Sequence, residues 1–235
     1  MDISIVTSLL NEDDFIEGFL VDITRQSAFH ACELIIVAPS LSQYERETID
    51  VYREVNHNII LIEPDVDPGL YNCWNLGIEA SSGKYVTNAN VDDRKHPDSL
   101  LIHWHALEAD PTVDLVYAYS LVTHEPNDTF ERTEAREFFP CYEFKGLEGL
   151  LINNSPHNNP MWRRTLHDKY GMFDGSYKCA ADAEMWLRAV QRGSRFKKID
   201  QVLGLYYRNP KGVSSNPDTY HEMVAEVQQM RNIYA

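Results

Sequence analysis

Basic residues are scarce in this chain. Its 235 residues carry 21 Lys and Arg against 36 Asp and Glu, a formal net charge of −15. Nucleic-acid backbones and anionic membranes both require clustered Lys and Arg, so neither is expected as a partner. A small anion remains possible, held by a metal ion or a few placed arginines. Cysteine is also sparse. Cys32, Cys73, Cys141 and Cys179 stand far apart, which excludes a short paired zinc motif and a disulfide framework and suits a reducing compartment. No apolar run is long enough to span a bilayer, and no basic region precedes an apolar one at the start. The expectation is a cytoplasmic protein with no transmembrane segment. There is no internal repeat, no low-complexity tract and no linker dividing two domains.

What is present is ordinary for a folded domain: 43% hydrophobic and 24% charged residues, and enough chain for one α/β unit with a sizeable core. Short β-branched runs at 3–7, 33–37 and 58–62 alternate with helical patterns at 13–25, 42–55 and 71–80. This predicts βαβ units and a mostly parallel, Rossmann-like central sheet in a single domain, 1–235. A further strand is expected over 114–122, then an aperiodic acidic excursion over 124–143. Helices follow at 144–152, 163–170 and 180–192, closing strands at 195–199 and 202–207, and a terminal helix at 220–234.

The organising stretch is 84–97. A strand-like Tyr85-Val86-Thr87 leads into the adjacent carboxylates Asp92 and Asp93, and a helical pattern follows. Strand, acidic turn and helix put polar groups at the carboxyl edge of a parallel sheet, where open α/β sheets bind ligands. Two neighbouring carboxylates there either cap a turn or share a cation. Asp182 stands in the first turn of a well-patterned helix, on a face with Met185, Trp186 and Ala189. It is either a cap or a general base. Glu184 sits four residues before Arg188 and can pair with it on the outer face. The loop after 202–207 carries Arg208 and Lys211, able to grip phosphate oxygens. His103 and His105 do not face each other on a helix. His157, among Asn and Pro residues, is a further site candidate.

These residues fall in a recognisable order: Asn11 after the first strand, Asp67-Pro68-Gly69-Leu70-Tyr71-Asn72 with Trp74, Asn75 and Gly77, then Gly83-Lys84-Tyr85-Val86 and Asp92-Asp93. Gly171-Met172-Phe173-Asp174, Ala181-Asp182-Ala183-Glu184-Met185-Trp186-Leu187-Arg188, and Tyr207-Arg208 with Ser214 complete the set. The chain so resembles an inverting family 2 glycosyltransferase with the glycosyltransferase A fold, from Ile3 to about Ser215. The resemblance implies a nucleotide-binding half at 1–100, an acceptor and catalytic half at 101–215, and a C-terminal helix at 216–235. It implies Asp182 as the general base, Asp93 as ligand of a manganese or magnesium ion, and Asp92 against the donor ribose or sugar. Thr7, Asn11, Asp67, Asn75 and Arg208 are the other donor-binding candidates. The implied reaction moves a sugar from a nucleotide diphosphate to a hydroxyl of a glycan or lipid-linked glycan, which could draw the protein to a membrane.

The pattern also departs from the family. Val37-Ala38-Pro39-Ser40 stands where many relatives carry an Asp that reads uracil, so uridine and thymidine diphosphate sugars are both open. Ser8-Leu9-Leu10-Asn11 replaces a Pro-Thr-Tyr-Asn pattern, and Ala181 replaces a Glu. Ser8-Leu9-Leu10-Asn11 is not the Gly-rich basic loop a sugar-nucleotide pyrophosphorylase needs. Thr7-Ser8 stands where an aspartyl phosphatase would need its nucleophile. A non-catalytic nucleotide-sugar or glycan-binding domain of the same fold is the remaining alternative, disfavoured by the joint presence of Asp92, Asp93 and Asp182.

Overall fold

The computed structural model describes residues 1–213, 215–218 and 220–235; Ser214, part of the motif set above, lies outside them. Strands β1 (Ile3–Leu10), β2 (Cys32–Ser40), β3 (Ile59–Ile62) and β4 (Tyr85–Asn88) form the leading half of one sheet. They lie in the order β3-β2-β1-β4, all parallel. The connections are α1 (Ile16–Thr24), α2 (Gln43–Val55) and α3 (Leu70–Ala80). Ser42 opens α2 with a reciprocal capping box to Glu45. Gly69 opens α3 at φ 88°, a left-handed conformation that favours glycine, and its N–H donates to the Asp67 carboxylate at 2.8 Å.

The chain then adds β5 (Arg94–Lys95), α4 (Ser99–Ala109), β6 (Leu115–Thr123), β7 (Glu137–Phe138) and α5 (Gly146–Ile152). It ends with β8 (Met161–Arg163), α6 (Thr165–Tyr170), α7 (Ala181–Gln191), β9 (Phe196–Tyr207) and α8 (Tyr220–Tyr234). Beyond β4 the sheet runs β8-β6-β9-β5, with β7 beside β6. β8 is antiparallel to both β4 and β6, while β9 is parallel to β6. The sheet is therefore mixed, with its parallel half leading.

Three strand expectations change. Met161–Arg163, which overlaps the expected start of a helix at 163, is the strand that joins the two halves of the sheet. The two closing strands are one, β9, and a register shift opposite Ala118 and Tyr119 accommodates Asp200 and Gln201. The 124–143 excursion contains a short strand, β7.

Side chains alternate across the sheet. Ile3 and Ile5 of β1 face a core built with Phe19, Leu20, Ile49, Leu100 and Leu107 from α1, α2 and α4. Val6 faces the opposite core, with Trp74 and Ile78 of α3, Leu166 of α6, and Met185 and Trp186 of α7. Both faces of the sheet are covered, which is why its inner strands read as continuous apolar runs. Among the described residues, no helix is long and apolar enough to cross a membrane.

Strand order reverses at β1, which has β2 on one side and β4 on the other. At such a switch point the loops leaving the carboxyl ends diverge and open a crevice. The segments there are 11–15 after β1 and 89–93 after β4.

Candidate active site

The acid turn is built by long-range contacts. Asp93 Oδ1 accepts the backbone N–H of Tyr207 at 3.0 Å, and Oδ2 accepts from Asn90 and Asn158, both at 3.0 Å. Asp93 is 7% exposed. Burial, with the neighbouring Asp92 charge, pushes its carboxyl up to about 7. Asp92 is the more open of the two and accepts a side-chain hydrogen bond from Asn209 at 3.0 Å. Burial raises its carboxyl too. A third carboxyl belongs to this group. Glu12 is pushed up to about 7 by burial, then by the charge of Asp92. Glu12 was not singled out from sequence, although the acidic run Glu12-Asp13-Asp14 directly after β1 was the available signal.

The second carboxylate centre is Asp182. It lies in the first turn of α7, whose N-cap Ala180 offers no side-chain cap, and its carboxylate accepts from the first-turn backbone at Ala183. Its oxygens also face two side-chain donors. The Tyr71 hydroxyl donates to Oδ1 at 3.1 Å and the Asn154 amide donates to Oδ2 at 2.7 Å. Burial raises the Asp182 carboxyl, and these hydrogen bonds oppose the rise. Tyr71 packs edge-on to Trp74 and against Phe173, which fixes the phenol. Tyr71 stood in the motif set without a role. Asn154 belongs to the polar run 153–162, whose composition was the only sequence signal for it.

The remaining candidates separate. Asn11 is exposed, at φ 58°, at the end of β1. Asp67 is exposed in the turn before α3. Arg208 follows β9 at the same sheet edge and donates to Glu137 of β7 at 3.1 Å in an exposed ion pair. Thr7 and Asn75 are engaged elsewhere. Thr7 is fully buried within β1, its hydroxyl 3.3 Å from the Ser8 carbonyl. Asn75 spends both ends of its amide on the backbone N–H and carbonyl of Phe173. His157 is a packing residue: stacked on Phe139 at 3.5 Å, edge-on to Tyr206, and held at about 4 by burial. Glu184 does pair with Arg188, but the pair is buried rather than on an outer face. Arg188 also donates to the carbonyls of Tyr170 and Met172, and Tyr234 of α8 donates to Glu184.

Among the described residues no three His, Cys, Asp or Glu side chains cluster as a protein-only metal cage. The donor set instead suits a hard cation that takes one or two carboxylates and completes its shell from phosphate and water. Burial disfavours the charged form of both carboxyls, and a bound cation would offset that cost.

The chain aligns with known proteins over nearly its whole length. It is 22% identical over 222 residues to an uncharacterized glycosyltransferase of Methanocaldococcus jannaschii, covering 93% of this chain and 72% of that one. It is 24% identical over 217 residues to a PGL/p-HBAD biosynthesis glycosyltransferase of Mycobacterium bovis, covering 90% and 78%. Among solved structures, TarS 1–349 of S. aureus in complex with UDP-GlcNAc superposes with a TM-score of 0.76 at 16% identity, covering 98% of this chain and 66% of that one. A mannosyltransferase from Pyrobaculum calidifontis with GDP-Man and Mn2+ gives 0.70 at 17% identity, covering 97% and 64%. The chain spans 65% of a further TarS 1–349 chain and 43% of the longer TarS chain. These likenesses establish the glycosyltransferase A fold. The Glycosyl transferase family 2 model matches residues 4–171, and the chain belongs to that family.

Proposed function

We propose that this protein is a metal-dependent, inverting glycosyltransferase that moves a sugar from a nucleotide diphosphate donor to a hydroxyl of a glycan or lipid-linked glycan. The observation that carries this reading is the setting of Asp182: a half-buried carboxylate in the first turn of α7, oriented by Tyr71 and Asn154 from two other segments. Burial raises its proton affinity, which suits a general base. In the reaction Asp182 takes the hydroxyl proton while the acceptor oxygen bonds to the anomeric carbon. The bond from that carbon to the diphosphate oxygen breaks, and a single displacement inverts the configuration.

On the donor side we reassign the metal-facing role from Asp93 to Asp92. Asp93 already accepts three hydrogen bonds and is buried, so its carboxylate supports the turn. Asp92 is open enough to meet a cation. Manganese or magnesium held there would neutralise charge on the leaving diphosphate. Arg208 would exchange Glu137 for a phosphate oxygen, two exposed partners whose ion pair is easily opened. Asn11 and Asp67 remain donor-side candidates, while Thr7 and Asn75 act through the backbone they hold.

No acidic side chain stands at Val37-Ala38-Pro39-Ser40, so ring recognition leans on backbone groups and on Asp67. Uridine and thymidine diphosphates should bind within about a hundredfold of each other, and a wider gap would contradict this. The relatives solved with UDP-GlcNAc and with GDP-Man and Mn2+ support a nucleotide-sugar donor as a class. The decisive experiment is calorimetric titration of nucleoside diphosphates with manganese, followed by transfer assays on glycan acceptors. A chain that binds neither nucleotide nor metal would be a non-catalytic member of the fold.

A further inference from the structure

The reading above gives no task to a buried arginine. Arg94 directly follows the acid pair and is 2% exposed. Its Nη1 donates to the carbonyls of Val91 at 2.8 Å and Asp93 at 2.7 Å, closing the acid turn upon itself. Its Nη2 donates to Oδ1 of Asn127, in the 124–143 excursion. Asn127 uses its other amide end as well. Nδ2 donates to the Asp14 carbonyl at 2.7 Å, in the segment after β1 that also holds Asn11 and Glu12. One side-chain amide therefore ties the excursion to both segments that border the switch-point crevice. Asn127 is at φ 56°, where asparagine is among the few tolerated side chains.

An independent observation marks the same junction. Gly18 lies inside α1, where glycine is destabilising relative to alanine by about 1 kcal/mol. A Cβ there would stand 2.4 Å from Arg94 Nη2 and 2.7 Å from Asn127 Oδ1. The helix yields space at the point where the guanidinium meets the amide.

We propose that Arg94 and Asn127 are positioning residues for the donor, holding the acid turn and the 11–14 segment in register on the two sides of the diphosphate. This makes the 124–143 excursion part of the donor site rather than a surface ornament. The inference rests on the donor reading above. Its physical basis is that reacting and binding groups displaced by about 1 Å can cost as much as a hundredfold, an effect on the donor site larger than the loss of one hydrogen bond to Arg94 has on the fold.

The test uses uridine diphosphate with manganese chloride as probe, measured by calorimetry on the full chain, with melting temperature in parallel. Asn127→Ala should weaken binding at least about tenfold and lower the melting temperature by a few degrees only, because Arg94 Nη2 loses one acceptor. Asn127→Asp keeps the acceptor for Arg94 and should recover most of the affinity. Gly18→Ala keeps both side chains yet displaces the guanidinium, and should weaken binding although alanine favours the helix. Wild-type affinity in both Asn127→Ala and Gly18→Ala would overturn the proposal. So would a joint loss of stability and affinity that Asp fails to rescue. If the wild-type protein itself binds no nucleoside diphosphate with manganese, the donor reading falls and this inference falls with it.

Discussion

The Tyr71 hydroxyl donates to the Asp182 carboxylate across 3.1 Å and 111 positions of sequence, joining the first turn of α3 to the first turn of α7. It replaces a solvent contact with a fixed one on a group whose charge burial already disfavours. Removing it with Tyr71→Phe leaves Asn154 as the remaining side-chain donor. The Asp182 carboxyl should then rise further. The ascending, low-pH limb of transfer, which reports ionisation of the base, should move to higher pH. A pH–rate profile that does not move would show that the bond is not made in the working enzyme.

Asp182→Asn preserves shape and both neighbours. Transfer should fall by the ~10² to 10⁴ characteristic of a lost general base. Nucleotide–manganese affinity and melting temperature should stay near wild type. Because the carboxylate accepts from the first-turn backbone of α7, Asp182→Ala should cost about 1 kcal/mol of stability that Asp182→Asn largely retains. Near-normal transfer by the Asn variant would refute the assignment.

The two acid-turn carboxylates should separate under mutation. Asp92→Asn should abolish metal-dependent nucleotide binding with little change in melting temperature. Asp93→Asn leaves a neutral amide facing the donors of Asn90, Asn158 and Tyr207, and should lower stability as well as binding. Titrating manganese against each variant while following unfolding distinguishes them. The reverse pattern would restore the metal to Asp93.

Glu184 tests the buried pair behind the base. With side chains 17% and 9% exposed, Arg188 and Glu184 are shielded from solvent. Removing one partner of such a pair costs about 3–5 kcal/mol. Glu184→Ala should therefore lower the melting temperature by on the order of 10 °C for a chain of this size. An outer-face pair would cost a fraction of that.

Glu12 predicts a pH-dependent stability. Its carboxyl is raised from 4.5 to about 7 in the folded state, by burial first and then by Asp92. Such a group favours folding while protonated, and that contribution is lost as pH rises through about 7. The full shift corresponds to about 3 kcal/mol, which partial solvation reduces to roughly 1 kcal/mol. Glu12→Gln should then melt a few degrees above wild type at pH 8 and at the same temperature near pH 4. Equal melting temperatures at both pH values would place Glu12 in solvent.

By itself the sequence determined the alternation of β1, α1, β2, α2, β3, α3 and β4, because buried parallel strands and amphipathic helices are written in local periodicity. It determined the acid turn and the Asp182 helix for the same reason, since each lies within a dozen consecutive residues. Tertiary structure decided what those residues can do. β8 has three residues, too few for a period, and is a strand only because β4 and β6 flank it. β9 runs through Asp200 and Gln201 because a bulge absorbs them against β6. Glu184 and Arg188 have an outer-face spacing, yet α6 and α8 pack over them. Which of Asp92 and Asp93 faces open space depends on Asn158 and Tyr207, 65 and 114 positions away. Hydrogen-bond occupancy and solvent access, unlike periodicity, are properties of segments brought together from across the chain.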